Sequence, residues 1–563
     1  MRTTARTILS IAAGALLLAG AAACSSDSTG SSTPDVPSGV AAVVSSPTAI
    51  RVQWNQVPNA TGYRVERTAA GAAYATVADN LTATVYDDTG LAPGTSYSYR
   101  IHSVRGGSVS DASQVVNAST AAEAPKVRTL YGITQSTTLY ADSLYVLSGY
   151  VKVSNGATLT IQPGTRIVGD TLTPGSSLWI LRGSKIQAVG TADKPIVFTS
   201  ARTADNRKPG DWGGIVIVGN APINRTATPI FTEGPVGAAE NYAGGSSWTD
   251  NSGTLKYVRV EFAGYDVSNG AGQELNSISS YAVGSGTTYD YVQSMAGLDD
   301  SFEFFGGAVD IRHMVSYEAG DDHYDWTEGY RGRGQYLIAL QTTVVTPRAG
   351  TGTVSSDPRG FEGDGCENDK AGCTYANTPY SQPVWANFTV IGPGTGVFSP
   401  ADGNGAVIRR GSAGTLVNGV IGRWPLYGIS IRDAATKALL DADSLTIRNV
   451  VLSDNGSNFE PAGTNFGSVL SDGTRGIREV AGVGALFTAL PAAKAVPTAA
   501  TLDWTPAAGS ALLTGGLSSF AGTKIAGRVT SFFGADMPAT AYVGAADPAA
   551  AKWWAGWTVY ATR

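Results

Sequence analysis

Two stretches of this chain carry the same pattern of acids and aromatics 22 residues apart. Asp299-Asp300-Ser301-Phe302-Glu303-Phe304 is followed by Asp321-Asp322-His323-Tyr324-Asp325-Trp326. Each reads acid, acid, any residue, aromatic, acid, aromatic. Self-similarity at a period of roughly 20–50 residues marks solenoids, and 22 residues suit one coil of a parallel β-helix. Equivalent positions would then stack about 4.8 Å apart, the strand-to-strand spacing. Six carboxylates (Asp299, Asp300, Glu303, Asp321, Asp322, Asp325) would form a ladder on one face. Carboxylates that close repel, so the ladder needs a cation, basic partners, protonation or free access to water.

Three chemistries compete for such a ladder. Clustered hard oxygen ligands suit Ca²⁺, although the acids do not follow the EF-hand spacing. Alternatively, two carboxylates can divide the roles of acid and of base or nucleophile, as in glycosidases. Polysaccharide lyases resemble this chain in β-helical architecture and pair bound calcium with a basic residue. Arg331 and Arg333, just after the second acidic run, could take that part. In the third reading the ladder is solvated or paired with these arginines and only supports the fold. Repetition favours metal or structure over catalysis, because a catalytic centre is normally built once. Glu362 and Asp364, after a later strand, extend the ladder by one rung. The aromatics Phe302, Phe304, Tyr324 and Trp326 lie two apart on a strand and so share a face. Facing inward they fill a core, which is the preferred reading; facing outward they would offer platforms for sugar rings. No G-x-S-x-G, P-loop or zinc-protease motif occurs, so those activities have no support.

The elements that must position these residues are short strands punctuated by glycine. Tyr145–Val153, Ala157–Val168, Ser177–Leu181, Lys185–Gly190 and Ile196–Ser200 follow one another with turns between them and no helical pattern. Parallel strands joined without helices are what a β-helix requires; a doubly wound sheet needs a helix at each crossover. Tyr257–Gly264, Tyr291–Gly297 and Met314–Gly320 each run an apolar strand into Ala-Gly, with an acid following at Asp266, Asp299 and Asp321. Later strands (Val384–Gly392, Gly414–Gly422, Ser444–Leu452) are irregularly spaced, so loops of unequal length leave the coils. The Ala-rich runs at 490–502 and 546–552 are the only candidates for short helices. Trp553, Trp554 and Trp557 are expected to cap the open end of the solenoid, as terminal repeats require.

At 563 residues the chain calls for more than one domain. Its 15% charged residues and net charge of −6 exclude the basic stripe of a nucleic-acid binder. Residues 1–23 read as a signal peptide: Arg2 and Arg6 precede an apolar run from Ile8 to Ala23, too short for a membrane span. Leu18-Ala-Gly-Ala-Ala-Ala-Cys24 resembles a bacterial lipoprotein box, with Ala21 where leucine is commoner. The resemblance implies lipidation at Cys24 and, with Ser25 rather than Asp following, an outer-membrane or cell-surface location. Simple cleavage after Ala23 with a free thiol is the alternative. Residues 24–36 are small and polar and cannot build a core, so they read as a disordered tether. Cys366 and Cys373 then remain as an even pair. A disulfide suits an oxidising compartment and, on the chain-entropy estimate, contributes about 2–3 kcal/mol for so short a loop. Two cysteines and the scattered His102, His313 and His323 supply no zinc spacing.

Residues 37–121 resemble a fibronectin type III module through Ile50-Arg-Val-Gln-Trp54, Gly62-Tyr-Arg-Val-Glu-Arg67 and Leu91-Ala-Pro-Gly-Thr-Ser-Tyr97-Ser-Tyr-Arg-Ile101. The strands alternate apolar and polar, as a sandwich with one wet face requires. Trp54 would fill the core, and Tyr97 occupies the place of the family's tyrosine corner. From residue 127 to 563 the chain resembles a family of secreted bacterial β-helix lipoproteins often found beside TonB-dependent receptor systems. Asp211-Trp-Gly-Gly-Ile-Val-Ile-Val-Gly219, Asp250–Gly264, Asp299–Gly307 and Trp553-Trp-Ala-Gly-Trp-Thr558 carry that likeness. The resemblance implies an all-β chain: a fibronectin type III sandwich followed by a right-handed parallel β-helix. The function read from this is non-enzymatic binding or adhesion to glycan or a partner protein, with calcium supporting the acidic face and the membrane reached through the lipid anchor. The alternative is a polysaccharide lyase or glycoside hydrolase using the same acids.

Overall fold

In the computed structural model the described residues are 33–560, apart from 70, 124–125, 269–271, 399–401, 462–465 and 499. The signal peptide, Cys24 and the tether up to residue 32 lie outside them. The chain divides into two compact units, one up to Ala124 and one from Pro125 onward. The first is an antiparallel sandwich of a three-stranded and a five-stranded sheet. Alternation places Ile50, Val52, Val65, Tyr99 and Ile101 inside, with Trp54 set edge-on against Tyr63 at 5.3 Å between ring centres. Tyr97 forms the expected corner: its hydroxyl accepts a hydrogen bond from the Ala92 amide at 3.0 Å.

The second unit is a parallel β-helix. One row of short strands runs Ile215–Val218, Ile278–Tyr281, Phe302–Phe305, Tyr324–Thr327, Arg359–Asp364 and Asn404–Arg409, each pairing in parallel with the next. This row is called the front sheet below. The 22-residue repeat is one coil: Phe302 pairs with Tyr324, Glu303 with Asp325 and Phe304 with Trp326. Alternation sends the aromatics inward, where Phe302 stacks on Tyr324 at 5.4 Å and Tyr324 meets Phe361 at 5.5 Å. All of them are buried. The core reading of these aromatics therefore holds.

The other two sheets come from long strands that bend once. Gly253–Glu261, Thr288–Met295, Asp310–Tyr317, Arg333–Leu340, Val384–Ile391, Gly414–Gly422 and Leu445–Ser453 pair in parallel on both sides of a corner residue. The corner residues, Tyr257, Tyr291, His313, Tyr336, Asn387, Asn418 and Asn449, all have φ between 50° and 62°. Asparagine visits this left-handed region more readily than most residues, and here the amides of all three asparagines donate to a distant segment of the chain. The four rings are held there by one another, with centres 4.3, 4.3 and 5.1 Å apart along the stack.

Two expectations fail in the C-terminal part. The described residues of the Ala-rich runs at 490–502 and 546–552 are not helical; Pro491, Pro497 and Pro548 interrupt the runs and remove amide donors. The main helix is instead Ala434–Asp441, whose cap Asp433 accepts from the Thr436 amide at 2.8 Å. Trp553, Trp554 and Trp557 do not close an open end. The segment after Phe487 turns back along the corner as a strap. Asn449 donates to the Gly515 carbonyl, Asn418 to Leu517, Gln335 to Pro538, Arg259 to Trp557 and Gln293 to Val559. Trp554 and Trp557 are buried in a lateral cluster with Met295, Tyr317 and Ile338. Polar corner side chains offer amide donors along the flank, and a chain that accepts from them covers that flank.

Candidate metal centre

The outward side of the front sheet carries the acids. Register sets Glu303, Asp325 and Glu362 side by side on three successive coils. The turns entering two of those strands add Asp299 and Asp300 on one coil and Asp321 and Asp322 on the next. Backbone amides tie these turns together: Asp322 N donates to Asp300 Oδ1 at 2.8 Å, and Asp300 N to Asn276 Oδ1 at 3.1 Å. Asn276 in turn donates to Glu303 Oε2 at 2.5 Å. The result is three linked groups: Asp299, Asp300 and Asp321; Asp300, Glu303 and Asp325; Asp322, Asp325 and Glu362. Within each, one oxygen per residue lies within 4.8 Å of the others. Asp300 and Asp325 each belong to two groups.

This face is largely shielded from water, with Asp299, Asp321 and Asp325 half-buried and the other acids buried. Asp300 is 6% exposed, Asp322 1% and Glu362 5%. Burial, and then mutual repulsion, pushes the carboxyls of Asp299, Asp300, Glu303 and Asp325 well above their ordinary range, and burial followed by repulsion from Asp322 does the same for Asp321. Burial also lifts Asp322, to about 6, against the pull of Arg359, and Asp364 to about 7, against Arg410. Oδ1 of Asp321 and Oδ1 of Asp325 are buried with no hydrogen-bond donor. Acceptor-only groups without donors are what a hard cation requires. The donor set therefore fits calcium.

Basic partners close one end of the face. Arg359 holds Asp322 Oδ2 at 3.3 Å and Asp357 at 2.6 Å and also contacts Glu362. Arg409 bridges Glu362 and Asp364, the latter at 2.9 Å, and Arg410 pairs with Asp364 and Glu367. Glu367 lies within the loop closed by the Cys366–Cys373 disulfide, whose Cα atoms are 5.1 Å apart.

All six predicted ladder acids thus meet on one face, and Glu362 and Asp364 continue it on the next coil. Arg331 and Arg333 do not. Arg333 opens a strand of a different sheet and pairs with Asp310, while Arg331 lies over the Trp248 ring at 5.8 Å. The chain turns a corner after Thr327, so neighbours in sequence leave the face. Sequence reasoning missed Arg359, Arg409 and Arg410, which reach the acids only through coil register. It also missed Glu233, which raises the proton affinity of Glu303 from a long loop.

The profile of the pectate-lyase like beta helix domain matches residues 132–485, and that of the fibronectin type III domain matches residues 35–119. Among solved structures, an Fn3-like protein from Clostridium thermocellum is 39% identical over 15% of this chain and 92% of its own, with a TM-score of 0.15. The FN5 domain of Drosophila Lar is 24% identical over 16% of this chain and all of its own, with a TM-score of 0.15. No curated protein matches the chain.

Proposed function

This chain belongs to the family of pectate-lyase-like β-helix domains, and on that scaffold we propose a surface protein that binds a glycan or partner protein without turning it over, its acidic face supported by calcium. The observation that carries this reading is the convergence of carboxylate oxygens in three linked groups. Asp299, Asp300, Glu303, Asp321, Asp322 and Asp325 would hold the cation, with Glu362 sharing the last group. Bound calcium would neutralise charge that burial otherwise drives toward protonation. The fibronectin type III module serves as a spacer or protein-contact domain. Lipidation at Cys24 would fix the protein to the outer membrane or cell surface.

Cleavage of a polysaccharide is the second reading. The lyase likeness of the family favours it, as does Arg359 among the acids. Binding ranks first because Arg359, Arg409 and Arg410 are all held by carboxylates, which leaves none of the three free to act on a substrate. Incubating the full chain with acidic and neutral polysaccharides, with calcium or with chelator, separates the two. Calcium-dependent retention of a glycan without new reducing or unsaturated ends supports binding. Products that vanish in the Asp299→Asn and Asp322→Asn variants would replace it with depolymerisation.

A further inference from the structure

A second charged site, of opposite sign, lies away from the acidic face. Where the strap passes the strands Asp310–Tyr317 and Arg333–Leu340, a cleft of about 280 Å³ is lined by Trp248, Ser285, Asp310, Arg331, Arg333 and Arg528. Three guanidiniums face one carboxylate. Asp310 is taken by Arg333, whose Nε lies 2.9 Å from Oδ1. Arg333 Nη2 also donates to Asp310 Oδ2, and the other Arg333 donors go to strap carbonyls, including Arg528 O at 3.1 Å. Arg528 donates through Nη2 to the Arg331 carbonyl at 3.0 Å, but its Nη1 is buried with no partner. The Arg331 guanidinium has no ion pair among the described residues and rests near the Trp248 ring. Burial, with repulsion from Arg331 and Arg333, lowers the Arg528 pKa to about 10, yet it stays charged at neutral pH.

We propose that this cleft binds a tetrahedral dianion: inorganic phosphate or sulfate, or the phosphate group of a monoester. Two positive charges remain after Asp310 is counted, matching a dianion rather than a carboxylate. Arg331 supplies the free planar N–H donors, the usual partners of such oxygens, and Arg528 adds positive charge at the wall. The space around them exceeds the ion itself, and the Trp248 ring offers an apolar wall to whatever the group is attached to. The site is independent of the acidic face and of the binding function proposed for it.

Titration calorimetry of the full chain with phosphate, sulfate, a sugar phosphate and acetate, at constant ionic strength in chloride, tests this. Phosphate or sulfate should bind with a dissociation constant of about 1 mM or tighter, and acetate at least tenfold more weakly. Tighter binding of the sugar phosphate than of the free ion would identify a monoester as the preferred form, and equal binding the free ion. Arg331→Gln should weaken the best ligand by about tenfold or more, the range of one charged hydrogen bond. Circular dichroism checks that the variant is folded, and because Arg331 makes no ion pair its loss spares the strap. Absence of anion binding, equal affinity for acetate, or unchanged affinity in folded Arg331→Gln would overturn the proposal.

Discussion

Asp325, like Asp300, belongs to two of the three carboxylate groups but accepts no backbone amide from the neighbouring turn, so Asp325→Asn perturbs the acidic face with the least disturbance to its frame. Unfolding entropy runs at about 2.1 cal/mol/K per residue, so a unit the size of Pro125–Arg563 carries about 0.9 kcal/mol/K. Calcium at a hundred times its dissociation constant stabilises by about 2.7 kcal/mol, which raises the melting temperature of this unit by about 3 °C. Replacing one shared ligand with an amide should weaken binding at least tenfold. At the same calcium concentration the gain then falls to about 1.4 kcal/mol, or about 1.6 °C. Without calcium the variant should melt no lower than the wild type, because it removes a carboxyl whose ionisation burial and the neighbouring Asp364 and Asp322 oppose. Differential scanning calorimetry with calcium, magnesium and chelator reads all of these. An identical calcium shift in the two proteins, or no shift in the wild type, would refute the cation argument.

Three other outcomes follow from the same geometry. The Cys366→Ser, Cys373→Ser double variant should lose about 2–3 kcal/mol on the loop-closure estimate, seen as a lower melting temperature that reductant no longer changes. Tyr97→Phe removes the hydroxyl that satisfies the Ala92 amide and should cost the sandwich about 1–2 kcal/mol in urea unfolding. Burial lowers the pKa of His313 despite the carboxylate of Asp290. The unfolded state therefore binds more protons, and the His313 contribution to stability is present above the ordinary histidine pKa of about 6.5 and is lost as pH falls below it. Between pH 7.5 and 5.5 the wild type should lose stability relative to His313→Gln; parallel curves for the two would contradict this.

The part of the site that the sequence made legible is the part built from coils of equal length. Phe302 to Tyr324 is one uninterrupted coil, so a constant offset of 22 placed Glu303 beside Asp325. From Tyr324 the chain needs until Phe361 to return, because a long loop intervenes, and no offset announces that Arg359 faces Asp322. Side-chain alternation correctly sent Phe302 and Trp326 inward. Proximity along the chain misplaced Arg331 and Arg333, because a β-helix turns between sheets within a few residues. The aromatic corner positions were invisible for a different reason. Asn387 and Asn418 have a side chain that suits positive φ, whereas Tyr257 and Tyr291 adopt it only because their neighbours in the stack do.

A solenoid whose coils touch only their neighbours is a one-dimensional object, able to fray from either end or lose a repeat without informing the rest. The strap changes that dimensionality. It joins Arg259 to Trp557 across 298 residues of chain and Gln293 to Val559 across 266, while also holding Asn418 and Asn449 far along the same flank. Early and late coils thereby share one fate, and local opening at either is opposed by the other. Completion is also deferred in time. Coils made first keep an uncovered apolar flank until the segment after Phe487 is made and lies down on it, so a chain cut before Phe487 would expose a surface that the strap otherwise covers.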